Sequence, residues 1–405
     1  MGNRWTLGAA MVLMGCTASQ ETNNAADSAT IGNRLIAPDD PNLAGMFNLG
    51  PDDYYTHSEK MGEAPSLVHS FVDWVDSESL AAAEADPTVR IEPIPIDELG
   101  MEIFDYAYSP GTIIALSWAL PLPNYDVTNT AYPAIPRVQH ILDGEYDDYI
   151  DDFAQAIGAL DVPVMLTLFG EFDNNAFYAF GPEGRHGAAV DPGLSASQQV
   201  PVADDLTGAY GDPDVPDGPE RVRDAFIYVI DRFRDAGVTN VSWYMYGSSG
   251  FRSVTTDNSE ESQLIDALKW WNTPEHYYPG DDYIDWVGKS LHHNGLDDLQ
   301  PKFEDAYAAW GAVTQRPFFS PEFSINEGFG VTSRDEIMRE EFSSYFLSFS
   351  RFKAFATTDQ DPTTGSAEFG LTTFGGLNGE FPGEITAWQE AVIENENWKT
   401  VPYTF

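Results

Sequence analysis

The chain has 405 residues, 42% of them hydrophobic, enough for a large core and within the size of a single barrel domain. Asp and Glu total 65 against 20 Lys and Arg, a formal net charge of −45. Such a field repels nucleic acid and anionic bilayers and weighs against an anionic polysaccharide, while it keeps a protein soluble in salty water.

The first predicted element is a leader. Arg4 precedes a short apolar stretch, Thr6 to Gly15, too short to span a bilayer as a mature helix. Leu13-Met14-Gly15-Cys16 has the form of a bacterial lipobox, in which Cys16 becomes the lipidated N-terminus after cleavage. Cys16 is the single cysteine, so no intramolecular disulfide forms. The start also fits the loose myristoylation pattern, but the apolar run behind it is a secretory feature. Residues 1–16 are therefore read as a lipoprotein signal peptide and 17–32 as a polar tether. Residues 33–405 are read as one catalytic-size domain. The expected location is the bacterial cell envelope, on the outer membrane or cell surface, held to the membrane by the lipid anchor on Cys16.

From residue 40 onward apolar runs alternate with helical patterns. Residues 44–48 and 66–71 are predicted strands one and two, and 112–118 is a strong third. A helix over 149–160, with Ile150, Phe153, Ala154 and Ile157 on one face, leads to strand four at 163–169. A second helix, 221–236, carries Ala225, Phe226, Val229, Ile230 and Phe233 inward and is capped by Gly237. Strands five to eight are predicted at 241–246, 283–287, 317–321 and 352–357. Eight strands alternating with helices predict a parallel (β/α)₈ TIM barrel. The segment 172–219, rich in Gly and Pro, is long enough for a lid or cleft wall.

Two glutamates end two of these runs. Glu171 follows strand four and Glu322 follows strand seven. Carboxylates at the C-terminal ends of barrel strands point into the active-site mouth, and two of them are the minimum equipment for glycoside hydrolysis. Glu327 is a weaker competitor, because it lies past the strand end. His69 on strand two is a candidate for a sugar hydroxyl or a satisfied core histidine. Trp118, Trp243 and Tyr246 are candidates for sugar stacking or core packing. His292 and His293 are adjacent and point oppositely, which argues against a shared metal. Asp204, Asp205, Asp212, Asp214 and Asp217 lack the spacing of a known calcium loop and read as a solvated acidic loop. No cofactor or metal is expected.

The local sequences resemble glycoside hydrolase family 26, within clan A of the retaining glycosidases. The most specific match is Tyr277-Tyr278-Pro279-Gly280-Asp281-Asp282-Tyr283-Ile284-Asp285-Trp286-Val287-Gly288, leading into strand six. Residues 144–150 and 237–243 match in the same order, and the resemblance covers residues 44 to 358. It implies a TIM barrel with Glu171 as acid/base and Glu322 as nucleophile. The family's His-Glu-Met-Asn run reads Gly170-Glu171-Phe172-Asp173 here, so Asp173 stands at the amide position. His292 stands near the place of a family Tyr that hydrogen-bonds the nucleophile. The resemblance implies retaining, endo-acting cleavage of a neutral β-linked polysaccharide or oligosaccharide. Mannan comes first, with β-1,3-xylan or mixed-linkage glucan next. The alternative is a catalytically weakened barrel that binds glycan at the cell surface.

Overall fold

The computed structural model describes residues 30–31, 34–35, 42–47, 58–59, 64–76, 78–79, 82, 93–96, 99, 112–119, 141–160, 162–172, 218–247, 273–293, 296–325, 334–358 and 386–399. Eight parallel strands form the central sheet: β1 (Asn42–Phe47), β2 (Leu67–Asp73), β3 (Ile113–Ala119), β4 (Val164–Thr167), β5 (Val241–Gly247), β6 (Trp286–Lys289), β7 (Phe318–Ile325) and β8 (Phe352–Thr358). Each pairs with its sequence neighbour, and β8 pairs with β1 from Ala354↔Leu43 to Thr358↔Phe47, which closes the barrel. A two-residue strand, Trp398–Lys399, adds to the start of β1. This is the (β/α)₈ barrel expected from the alternation of elements.

Side chains alternate across each strand, and the two faces form separate apolar clusters. Leu43, Leu67, Ile113, Ala115, Met165, Tyr244, Tyr246, Trp286, Phe319, Ala354 and Ala356 fill the barrel. Ile114, Leu116, Val164, Leu166, Val241, Met245, Val287 and Phe318 face outward against the helices. Helix α1 (Asp147–Gly158) buries the predicted stripe Ile150, Phe153, Ala154 and Ile157. Helix α2 (Gly218–Asp235) ends where Gly237 takes a φ of +79°. The Val238 N–H donates to the Phe233 carbonyl and the Gly237 N–H to that of Arg234, the paired bonds of a Schellman cap. Arg232 of α2 reaches Asp147 and Asp151 of α1 at 2.7 and 2.6 Å. Helix α3 (Leu296–Val313) docks on β6 through the Trp310 indole, which donates to the Gly288 carbonyl at 2.9 Å.

Two strands are shorter than expected. Strand six begins at Trp286, because residues 281–283 form a turn after Gly280 and the Asp285 carboxylate accepts from the Trp243 N–H. Strand four stops at Thr167, because the backbone bends through 168–172. Both of these lie at strand ends, where turn chemistry overrides an apolar run. Elsewhere β1 begins earlier than expected, β2 runs on to Asp73, and β7 continues past the expected end at 321 to Ile325, so Glu322 lies within the strand.

Candidate active site

Glu322 lies on β7, 8% exposed. Strict alternation would turn it the other way. Phe319 faces the barrel interior and Phe318 the helices, so an unbroken strand would send residue 322 outward. The β7–β8 register shifts between Ser320 and Phe323, and Phe323 again packs against the helix layer. Pro321 sits in this irregularity and has no N–H to give a ladder. A bulge of this kind re-aims a side chain, and the Glu322 carboxylate meets the inward phenol of Tyr246, which donates to Oε1 at 2.7 Å.

Behind that bond runs a buried polar chain. Ser117 Oγ on β3 lies 3.1 Å from Tyr246 Oη, 3.4 Å from Tyr244 Oη and 2.9 Å from His69 Nε2. Tyr246 spends its single proton on Glu322. With every contact in the chain a hydrogen bond, Ser117 donates to Tyr246 and accepts from the His69 Nε2–H. His69 is fully buried, and burial pushes its imidazole down to about 4, against the raising effects of the Glu322 charge and the Pro321 backbone. Burial also pushes the Tyr244 phenol well above its ordinary range, with the Ser117 bond opposing and the Glu322 charge adding. Near neutral pH His69 and Tyr244 are thus uncharged beneath a carboxylate.

Glu171 is half-buried at the end of the bend that follows β4. Its φ of +49° is in the left-handed region, which a non-glycine residue enters at a cost. The next residue is tied to β5, since the Phe172 N–H donates to the Tyr246 carbonyl at 3.3 Å. Gly170 is required by close approach. A Cβ there would overlap the Tyr246 hydroxyl and lie 2.9 Å from its Cζ and 3.3 Å from Ser117 Oγ.

The structure brings Glu322, Tyr246 and His69 into one hydrogen-bonded group. Trp118 and Trp243 are elsewhere. Trp118 is fully buried and stacks on Phe153 of α1 with centroids 4.0 Å apart, and Trp243 meets Phe233 of α2 at 5.0 Å. Both rings take the core-packing role, outside the barrel wall. The backbone of His292 pairs with Ser324 in a three-residue extension, Leu291–His293, beside β7. Asp173, Glu327, Cys16 and the acidic loop 204–217 lie outside the described residues, as does the side chain of His292. Sequence reading passed over Ser117 and Tyr244, because single hydroxyls in apolar strands carry no motif. It also passed over Phe71, a large apolar side chain 37% exposed near the end of β2, its ring centroid 5.4 Å from that of His69. Among the described residues no three His, Cys, Asp or Glu side chains converge as a metal site.

A closed parallel barrel with a carboxylate gathered at the C-terminal ends of its strands is the architecture of many enzymes. No family model matches the chain, and no curated protein sequence matches it. Among solved structures, the GH26 domain of an endo-beta-mannanase/endo-beta-glucanase from Prevotella bryantii aligns with a TM-score of 0.50. It is 13% identical over 89% of this chain and 91% of that one. The longer Prevotella bryantii endo-beta-mannanase/endo-beta-glucanase gives the same score and identity, covering 89% of this chain and 44% of that one. A GH26 beta-mannanase from Bacteroides ovatus aligns with a TM-score of 0.48 at 14% identity, covering 90% and 92%. At such identities the likeness to the two Prevotella bryantii structures establishes the shared barrel fold.

Proposed function

We propose that the chain is a retaining glycoside hydrolase that cuts a neutral β-linked polysaccharide, with mannan the first candidate and β-1,3-xylan or mixed-linkage glucan next. The observation that carries this reading is the Glu322 carboxylate, turned inward by a bulge at the barrel mouth and held by the Tyr246 phenol at 2.7 Å. A nucleophile must be ionised and aimed, and a charge-assisted bond does both. Glu171, after the bend that follows β4, supplies the second carboxyl. In this mechanism Glu322 attacks the anomeric carbon and Glu171 protonates the leaving oxygen. Glu171 then takes a proton from the water that frees the sugar. The family resemblance of the sequence, and the endo-beta-mannanase/endo-beta-glucanase from Prevotella bryantii that shares the fold, both support the substrate class.

The second reading, a glycan-binding barrel with weakened catalysis, rests on Gly170, which stands where the resembled family has His. Hydrolysis of a panel of mannans, xylans and glucans, with the product anomer followed by NMR, separates the two. Turnover with retained configuration, abolished in Glu322→Ala, supports the enzyme. Binding of one glycan without hydrolysis supports the alternative. The anchor is part of the proposal: Cys16 is diacylated and holds the enzyme at the cell envelope. An unmodified Cys16 in protein from its native host, seen by mass spectrometry, would remove that part.

A further inference from the structure

We propose that Tyr246 is the positioning residue that fixes the two carboxyl-bearing segments relative to each other, and that Gly170 is glycine to admit it. The inference rests on the glycosidase reading for its catalytic consequence and on geometry for its substance. One residue touches both segments. The Tyr246 carbonyl accepts from the Phe172 N–H, directly after Glu171. Its hydroxyl donates to Glu322. Its ring end occupies the space where any side chain at position 170 would stand.

The rest of its surroundings hold it still. The ring stacks on Tyr244 with centroids 5.8 Å apart and an interplanar angle of 17°, and meets His69 edge-on at 6.0 Å. Ser117 donates to its oxygen from β3. Tyr246 is fully buried, so its place is set by packing rather than by a ligand. The left-handed backbone at Glu171 directly follows this close approach in the chain. Sugar stacking, the sequence-based role considered for Tyr246, gives way here to a spacer between nucleophile and acid/base.

The test is a double-mutant cycle on the full chain: wild type, Gly170→Ala, Tyr246→Phe and the double variant. Tyr246→Phe keeps the ring and removes the donor to a charged group. The expected result is a fall in kcat of about ten- to a hundredfold with KM nearly unchanged. The acidic limb of the pH profile moves to higher pH, since an ionised carboxylate loses a donor. His69 on β2 and Tyr244 and Tyr246 on β5 are the titratable groups identified around Glu322, and the first two stay in place.

Gly170→Ala forces the phenol off Glu322, so the same limb shift is expected, with a comparable loss. In the Tyr246→Phe background the overlap with the hydroxyl is gone and the 2.9 Å contact with the ring Cζ remains, so the further loss should be clearly smaller than the loss Gly170→Ala causes in wild type. Additive losses, or a Tyr246→Phe enzyme with full kcat and an unmoved limb, would overturn the proposal. If wild type hydrolyses nothing on the panel, the glycosidase reading fails by itself. The cycle is then read in urea unfolding midpoints, where non-additivity supports the Gly170–Tyr246 coupling and additivity overturns it. A Gly170→Ala chain that fails to fold, beside a double variant that folds, also supports it. Failure of both overturns it.

Discussion

Acid should unfold this protein partly through one buried histidine. His69 is fully buried and its imidazole is held down to about 4, from an ordinary 6.5. The unfolded chain takes up a proton at His69 below pH 6.5, whereas the folded chain takes it up only below about 4. Between those values the unfolded state binds more protons, so stability rises with pH and is lost on acidification. Each tenfold of proton affinity is worth about 1.4 kcal/mol, so the window amounts to roughly 3 kcal/mol. The comparison that isolates it is wild type against His69→Gln, which cannot titrate but retains an amide donor toward Ser117. Urea unfolding followed by tryptophan fluorescence from pH 7.5 to 4 reads both curves. The wild type should lose about 3 kcal/mol more than the variant across the window. The acidic residues titrate in both proteins and cancel in the difference. Parallel curves would show that His69 does not stay neutral in the fold. A wild type that gains on the variant as pH falls would mean an imidazolium paired with Glu322, and would reverse the electrostatics assigned to the site.

Other outcomes follow from single contacts. Glu171→Ala should retain turnover on aryl glycosides with good leaving groups, and azide should rescue it to a β-glycosyl azide. Full activity of that variant on polysaccharide would reassign the acid/base. Gly237→Ala should cost about 1 kcal/mol in urea unfolding without touching kcat, because the site has a φ of +79° but open space around a new Cβ. Asn240→Ala should cost about 2–4 kcal/mol by the same measurement, since the Asn240 amide donates to the buried carbonyls of Ile157 and Val162 at 2.9 and 2.8 Å.

The sequence by itself determined the number and order of the barrel strands. Each falls on a short run that is mostly apolar, and the helices over 149–160 and 221–236 carry clear apolar stripes. It also singled out Glu171 and Glu322, although β7 runs on past Glu322 to Ile325 and Glu171 follows the bend after β4. It did not say which way the strand residues face. In a parallel barrel both faces are buried, so the runs are apolar throughout and carry no alternation to read. Trp118 and Trp243 therefore read equally as ligands for a sugar or as packing for a helix, and only the assembled barrel put them against Phe153 and Phe233. The aim of Glu322 depended on a register shift beside Pro321, a property of the β7–β8 pair and of neither strand alone. The meaning of Gly170 was decided last. In the sequence it is the loss of a side chain, while in the fold the hydroxyl of Tyr246, distant along the chain, occupies that space. Local pattern fixes what each segment becomes, but which atoms share a volume is settled by closure of the whole barrel.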